Sequence, residues 1–212
     1  GASVAQSGAF LLHATVTEES MKAGSEWPLA QFMLGTSGSD FVRIGIIYAR
    51  TAEPYTAVIT HVPGEAYGVT LTNPYANGKA QLTLAYNNGN VYLFVNGKQV
   101  YAGTVTLGAG NVKLGLYCNQ EVVFTDWGYT AERTAVEDLI GATLTLEDGI
   151  TATVNGQPFV SGNKVLLGDE VALSKTLSTG ESGKFALGGT AIDETNVADG
   201  KATASFVVSG NT

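Results

Sequence analysis

Two Asn-Gly pairs, Asn88-Gly89 and Asn96-Gly97, separate three short runs that alternate polar and apolar residues, and no other feature restricts the fold as tightly. Asn and Gly tolerate the positive φ angles of a two-residue hairpin turn, so each pair marks a tight reversal of the chain. The runs they join, residues 81–86, 91–95 and 99–104, have the two-residue period of half-buried strands. The stretch therefore predicts a three-stranded antiparallel meander.

The same grammar extends in both directions. Upstream, residues 10–17, 31–34, 41–50, 57–62 and 69–72 read as strands, and residues 18–22 form the best short helix candidate of the first half. Downstream, residues 111–118 and 121–129 complete the series. Turn chemistry lies between them, at residues 35–39, Pro54, Pro63-Gly64, Asn73-Pro74, Asn77-Gly78 and Asn119-Gln120. Strands at this close spacing, with 27 dispersed glycines to supply the turns, indicate an all-β sandwich or jelly roll. No helical period is long enough for a crossover, which argues against a parallel α/β sheet.

The character changes around residues 131–140, AERTAVEDLI, the most charged window of the chain, which is expected to form one helical turn or a connector. Beyond it the aromatic residues thin to Phe159, Phe185 and Phe206. Short Thr/Val-rich strands are expected at residues 142–146, 150–154, 164–167, 170–174, 184–187 and 202–208. Their turns fall at Asp148-Gly149, Asn155-Gly156, Gly168-Asp169 and Asp199-Gly200. A boundary near residue 135 divides the chain into a first domain, 1–135, and a small second β-domain, 136–212.

The net charge of −8 argues against nucleic acid and anionic membrane surfaces, which need clustered Lys and Arg. No apolar run approaches the ~20 residues of a spanning helix, so no direct membrane insertion is expected. Cys118 is the single cysteine, which leaves no internal disulfide, and its expected role is that of a small buried hydrophobe. With His13 and His61 it does not make an ordinary zinc site, so no metal and no cofactor are expected.

Residues 86–100, YNNGNVYLFVNGKQV, with the closing segments KLGLYC and EVVFTDWGYT, resemble the concanavalin A-like lectin/glucanase jelly rolls, laminin-G-like modules included. The resemblance covers most of the first domain and implies a jelly-roll sandwich. Catalytic glucanases of that family carry a Glu-x-Asp-x-x-Glu-like cluster on one strand, which this chain lacks, so a noncatalytic module is implied. The segments GITATVNGQPF and GDEVAL and the terminal strand at residues 204–208 resemble small immunoglobulin-like bacterial repeat domains. Together the halves look like a piece of a multidomain bacterial surface or secreted protein, extracellular or at the cell surface, with further domains of the same chain as neighbours.

Strand parity supplies candidate site residues. If Val91, Leu93 and Val95 face the core, Tyr92 and Phe94 face outward. By the same rule Arg43 points outward when Val42, Ile44 and Ile46 point in, and Thr83 when Leu82 and Leu84 do. His61 is compatible with that outer surface. Arg43, His61, Thr83 and Tyr92 are thus candidates to line one concave, sugar-binding face, with Trp27 as an exposed loop platform. The competing use of Tyr92 and Trp27 is structural, under covering loops and at the end of the core. Trp127 is expected to pack, Asp126 alone does not make a calcium site, and residues 193–200, DETNVADG, read as a solvated turn. Glu18 and Glu19 would face opposite ways on a strand, and neither histidine sits in a nucleophile motif. The expected function is a noncatalytic module binding a glycan or other surface ligand. The alternatives are a spacer or assembly domain and, less favoured, a glycosidase-like hydrolase with carboxylates from separate strands.

Overall fold

The alternation in the meander is realised as three paired strands, and the rest of the first half pairs around them. The computed structural model describes residues 2–23, 27–49, 56–63, 68–192 and 195–210. Pro54, Gly64, Asp193 and Glu194, and the ends of the expected strand at Arg50 and of the helix at Gly24, lie outside the described residues. The chain divides into two compact units, Gly1–Glu132 and Arg133–Thr212.

The first unit runs β1 (Ser3–Val4), β2 (Ala9–Thr17), α1 (Glu18–Ala23), β3 (Leu29–Gly35), β4 (Phe41–Tyr48), β5 (Thr56–His61) and β6 (Gly68–Leu71). The meander follows as β7 (Lys79–Asn87), β8 (Asn90–Val95) and β9 (Lys98–Thr104), and β10 (Val112–Cys118) and β11 (Phe124–Thr130) close it. The strands form two antiparallel sheets, one of six strands in the order β1-β10-β3-β4-β5-β6 and one of five in the order β11-β2-β7-β8-β9. Alternate residues of both sheets fill the space between them: Phe32, Leu34, Ile44 and Ile46 from the first, Phe10, Leu12, Leu84 and Leu93 from the second. The rings of Phe10 and Tyr86 stack with centroids 4.7 Å apart, and Tyr86 Oη donates to the carbonyl of Gln6 at 2.9 Å.

Glu18 and Glu19 lie in the first turn of α1, where the helix dipole favours acids, rather than on a strand. Ser20 N–H, at 3.3 Å from Thr17 Oγ1, makes Thr17 the cap, and Met21 is wholly buried. Residues 121–123 precede β11 instead of joining it.

The Asn-Gly turns do more than reverse the chain. Asn96 holds φ at 49° and Gly97 at 78°. The Asn96 amide N–H donates to Gln81 O at 2.8 Å, while its Oδ1 accepts from Gln81 N–H at 2.8 Å. Its Nδ2 donates to Pro74 O at 2.7 Å, so one turn residue ties β8 to β7 and to the preceding loop. Asn96→Ala removes both side-chain bonds and leaves a β-carbon in a left-handed conformation. It is expected to destabilise the first unit by about 2 kcal/mol. The urea midpoint followed by tryptophan fluorescence measures this, because both tryptophans, Trp27 and Trp127, belong to that unit. An unchanged midpoint would refute the assignment.

The second unit begins with an eight-residue helix, α2 (Arg133–Ile140), longer than the single turn or connector expected. Val136 and Ile140, one turn apart, are its buried side chains. It ends at Gly141, where the chain passes so close to the helix that a β-carbon would lie 2.8 Å from Glu137 Cα. Strands β12 (Gly141–Thr143), β13 (Ile150–Val154), β14 (Gln157–Phe159), β15 (Lys164–Leu166) and β16 (Glu170–Thr176) follow. The last are β17 (Ala186–Leu187), β18 (Thr190–Ala191), β19 (Asn196–Ala198) and β20 (Lys201–Val207). The main sheet has the order β14-β13-β16-β20-β19, accompanied by the pairs β12-β15 and β17-β18. Its core gathers Leu144, Val165, Val171, Leu173 and Phe185. Asp199-Gly200 forms the turn between β19 and β20, and Asn196 lies in β19 rather than in a loop.

Candidate functional site

Register decides which of the sequence candidates share a face, because residues opposite one another on paired strands point the same way. Across the six-stranded sheet, Met33 opposes Arg43, and Arg43 opposes His61. Tyr117 opposes Gln31, Gln31 opposes Gly45, and Gly45 opposes Ile59. The intervening residues Phe32, Ile44 and Leu114 are in the core, so these rows form the outer face. Trp27, two residues before β3, is 45% exposed. The loop carrying it is clipped by Asn119, whose Nδ2 donates to Trp27 O at 2.9 Å and whose Oδ1 accepts from Leu29 N–H at 2.8 Å.

Thr83 and Tyr92 are not part of this surface. Thr83 opposes His13 and Phe94, and Tyr92 opposes Ala85 and Ala102, all on the outer face of the five-stranded sheet. The expected single face of Arg43, His61, Thr83 and Tyr92 is therefore divided between the two sheets of the sandwich. The physical reason is that alternation separates the two sides of one strand but does not say which sheet the strand joins. Tyr92 is also only 8% exposed, which leaves little of its ring for a ligand.

Two other expectations are corrected. Cys118 is exposed rather than buried. It opposes Ala30 on the core side but is the last residue of β10, beyond the packed interior. Trp127 is 46% exposed rather than packed. The register of β11 slips between Thr125 and Gly128, and Asp126 takes φ 51°, so Trp127 lies inside the bulge, where no cross-strand partner holds its side chain against the core.

The chemistry of the six-stranded face centres on Arg43. Its guanidinium lies over the Tyr117 ring, 4.1 Å from the centroid, and 5.8 Å from that of Phe41. Tyr117 is on β10 and Arg43 on β4, so the side chain reaches across β3. Phe41 in turn stacks on the exposed His61 ring, with centroids 5.8 Å apart and 27° between planes. A guanidinium stacked on an aromatic ring keeps its in-plane N–H groups free for a ligand. Gln31, 2% exposed, crosses the side-chain-free Gly45 and donates from Nε2 to Ile59 O at 3.1 Å. Arg43 Nε and Gln31 Oε1 are both buried without a hydrogen-bond partner. They are a donor and an acceptor on adjacent strands, and both lie beneath the surface that a ligand reaches.

At the rim, just before Phe41, the Asp40 carboxylate accepts hydrogen bonds from the Thr36 hydroxyl and the Gly108 amide, which hold its pKa below the usual aspartate range. No carboxylate stands among the described residues of the face itself. No group of three or more His, Cys, Asp and Glu residues able to hold a metal occurs among the described residues. In the second unit, a concavity of about 640 Å³ on the main sheet is lined by Thr151, Thr153, Ser174, Thr203 and Ser205, hydroxyls without a titratable group among them.

Tyr117, Phe41, Gln31 and Asn119 were not among the sequence candidates. The parity of KLGLYC, with Leu114 and Leu116 inward, marks Tyr117 as outward, and the same rule applied to β4 marks Phe41. What the sequence lacked was the pairing of β10 with β3 that places these rings beside Arg43.

No protein-family model and no curated protein matches the sequence. Among solved structures, sheep galectin-11, solved with glycerol, is similar over 61% of this chain and 95% of its own, with 14% identity and a TM-score of 0.40. A homodimeric agglutinin from chicken liver is similar over the same shares, with 9% identity and a TM-score of 0.39. The binding domain of botulinum neurotoxin serotype D is similar over 96% of this chain and 65% of its own, with 10% identity and a TM-score of 0.30. By its own sheet topology the chain is an all-β protein whose first unit is a two-sheet antiparallel sandwich, with an aromatic and cationic patch on the outside of the larger sheet.

Proposed function

We propose that the first unit is a noncatalytic carbohydrate-binding module and that its site is the outer face of the six-stranded sheet. The observation that carries this reading is the cluster of Arg43 over Tyr117 with Phe41 and His61 on one face, in a unit that also exposes Trp27. A pyranose has an apolar ring face that stacks on an aromatic side chain and a rim of hydroxyls that needs fixed donors and acceptors. Trp27 and Tyr117 supply rings, while Arg43 and His61 supply the polar groups. The second unit serves in this reading as an immunoglobulin-like spacer, in a protein displayed on or secreted from a bacterial cell.

The test is a glycan-array screen of the chain beside Tyr117→Ala and Tyr92→Ala variants. Selective binding is expected, reduced at least roughly tenfold (about 1.4 kcal/mol) by Tyr117→Ala and unchanged by Tyr92→Ala. Binding lost in Tyr92→Ala but kept in Tyr117→Ala would move the site to the other sheet. Absence of binding to any glycan would favour a spacer or assembly role for both units.

A further inference from the structure

The outer face of the six-stranded sheet differs in charge from the chain that carries it. Acidic residues outnumber Lys and Arg by 19 to 11 overall. Yet the charged residues that register places on the described part of this face are Lys113, opposite Gly35, and Arg43, opposite His61, with no acid among them. The nearest carboxylate in sequence, Asp40, is held by Thr36 and Gly108 at the hairpin rim. Arg43 has no carboxylate partner among the described residues, where the ion pairs are Lys22 with Glu18 and Arg133 with Glu137.

An arginine on a protein of this charge would ordinarily be paired. Here its guanidinium carbon lies over the Tyr117 ring, 4.1 Å from the centroid, and the side chain is only partly buried. A stacked guanidinium presents a planar fork of donors that fits a carboxylate or sulfate group. On a carbohydrate-binding face, the ligand that answers it is a sugar bearing an oxyanion.

We infer that the face selects acidic saccharides, with the carboxylate or sulfate at Arg43 and the sugar ring against the neighbouring aromatic residues. This rests on the carbohydrate-binding reading and narrows it to a ligand class. Lys113 and His61 add donors on either side, so the preference extends along an acidic chain rather than stopping at one residue.

Titration calorimetry with three kinds of probe tests it: hyaluronan oligosaccharides, which carry carboxylates only; heparin oligosaccharides, which add sulfates; and neutral chito- and xylo-oligosaccharides. At least one acidic class is expected to bind roughly tenfold or more tighter than any neutral sugar. The two acidic probes show whether carboxylate suffices. That affinity should fall when salt is raised from about 50 mM to about 500 mM, as pairing of exposed charges requires. Arg43→Gln should abolish the preference while its melting curve shows the fold retained. Neutral sugars binding as tightly as acidic ones would overturn the inference and leave the carbohydrate-binding reading standing. Acidic binding that survives Arg43→Gln would also overturn it. Failure of every saccharide would remove both.

Discussion

Gly45→Ala is expected to lower the stability of the first unit by about 3 kcal/mol, at the upper end of what overpacking of a folded interior costs. Gly45 sits in the middle of β4, between Gln31 on β3 and Ile59 on β5. A β-carbon added there would lie 2.6 Å from Gln31 Cα and 2.9 Å from the carbonyl carbon of Ala30. These are backbone atoms of a central strand, and they move only if β3 and β4 separate. The cost is steric rather than conformational, since Gly45 is not among the residues with positive φ. The substitution also stands in the path of Gln31 to Ile59 O, so it disturbs the proposed site as well as the fold. The two-unit chain need not unfold in one step, but tryptophan fluorescence follows the first unit alone. A urea midpoint that does not move would show that the strands have room the structure does not give them.

Local signals made much of the fold legible. Both Asn-Gly turns of the meander, the hairpin turn at Asn155-Gly156 and the outward parity of Arg43 are consequences of residue type and of a period of two. What was not legible depends on pairings between distant segments. The meander strands β7, β8 and β9 are joined by short turns, so their neighbours follow from the sequence. The pairings of β2 with β7 and of β10 with β3 join segments far apart in the chain, and they separate Thr83 and Tyr92 from Arg43 and His61. Trp127 escaped the expectation of packing because it lies inside the bulge at Asp126, where no pairing fixes its side chain. Cys118 obeyed the rule and is exposed all the same, because strand ends leave the core.

The two units share one device. In the first, Asn96 follows the last paired residue of β8 and exchanges hydrogen bonds with Gln81 across the hairpin. In the second, Asn155 follows β13, donates from its amide N–H to Glu170 O at 2.8 Å and accepts at Oδ1 from Glu170 N–H at 2.9 Å. Each Asn-Gly turn therefore extends a ladder by one pair on the side away from its own hairpin. The free Nδ2 group needs a further acceptor in both cases. The first unit provides a loop carbonyl, that of Pro74, and the second provides a buried carboxylate.

That carboxylate, Asp169, is where a single change should damage the second unit most. It is 2% exposed, in a segment that the sequence marks only as a turn. Its Oδ1 accepts from Asn155 Nδ2 at 2.9 Å and its Oδ2 from Leu166 N–H at 2.8 Å. Its own amide N–H donates to Leu166 O at 2.9 Å, and its carbonyl accepts from Val208 N–H at 2.8 Å. One residue thus joins the β13–β14 hairpin, the end of β15 and the residue that follows β20. Asp169→Ala removes the acceptor and leaves a buried backbone N–H and an amide group unmatched, which is expected to cost about 3 kcal/mol. In a unit of this size that corresponds to a fall in melting temperature of about 10–20 °C. Asp169→Asn should cost less, about 1–2 kcal/mol, because its carbonyl can still accept from Leu166 while its NH₂ faces the NH₂ of Asn155. The second unit contains neither Trp nor Tyr, so fluorescence does not see it. Amide exchange does. The Leu166 N–H should lose protection in Asp169→Ala and keep most of it in Asp169→Asn. Equal protection in all three proteins would mean that the carboxylate does not hold this corner together.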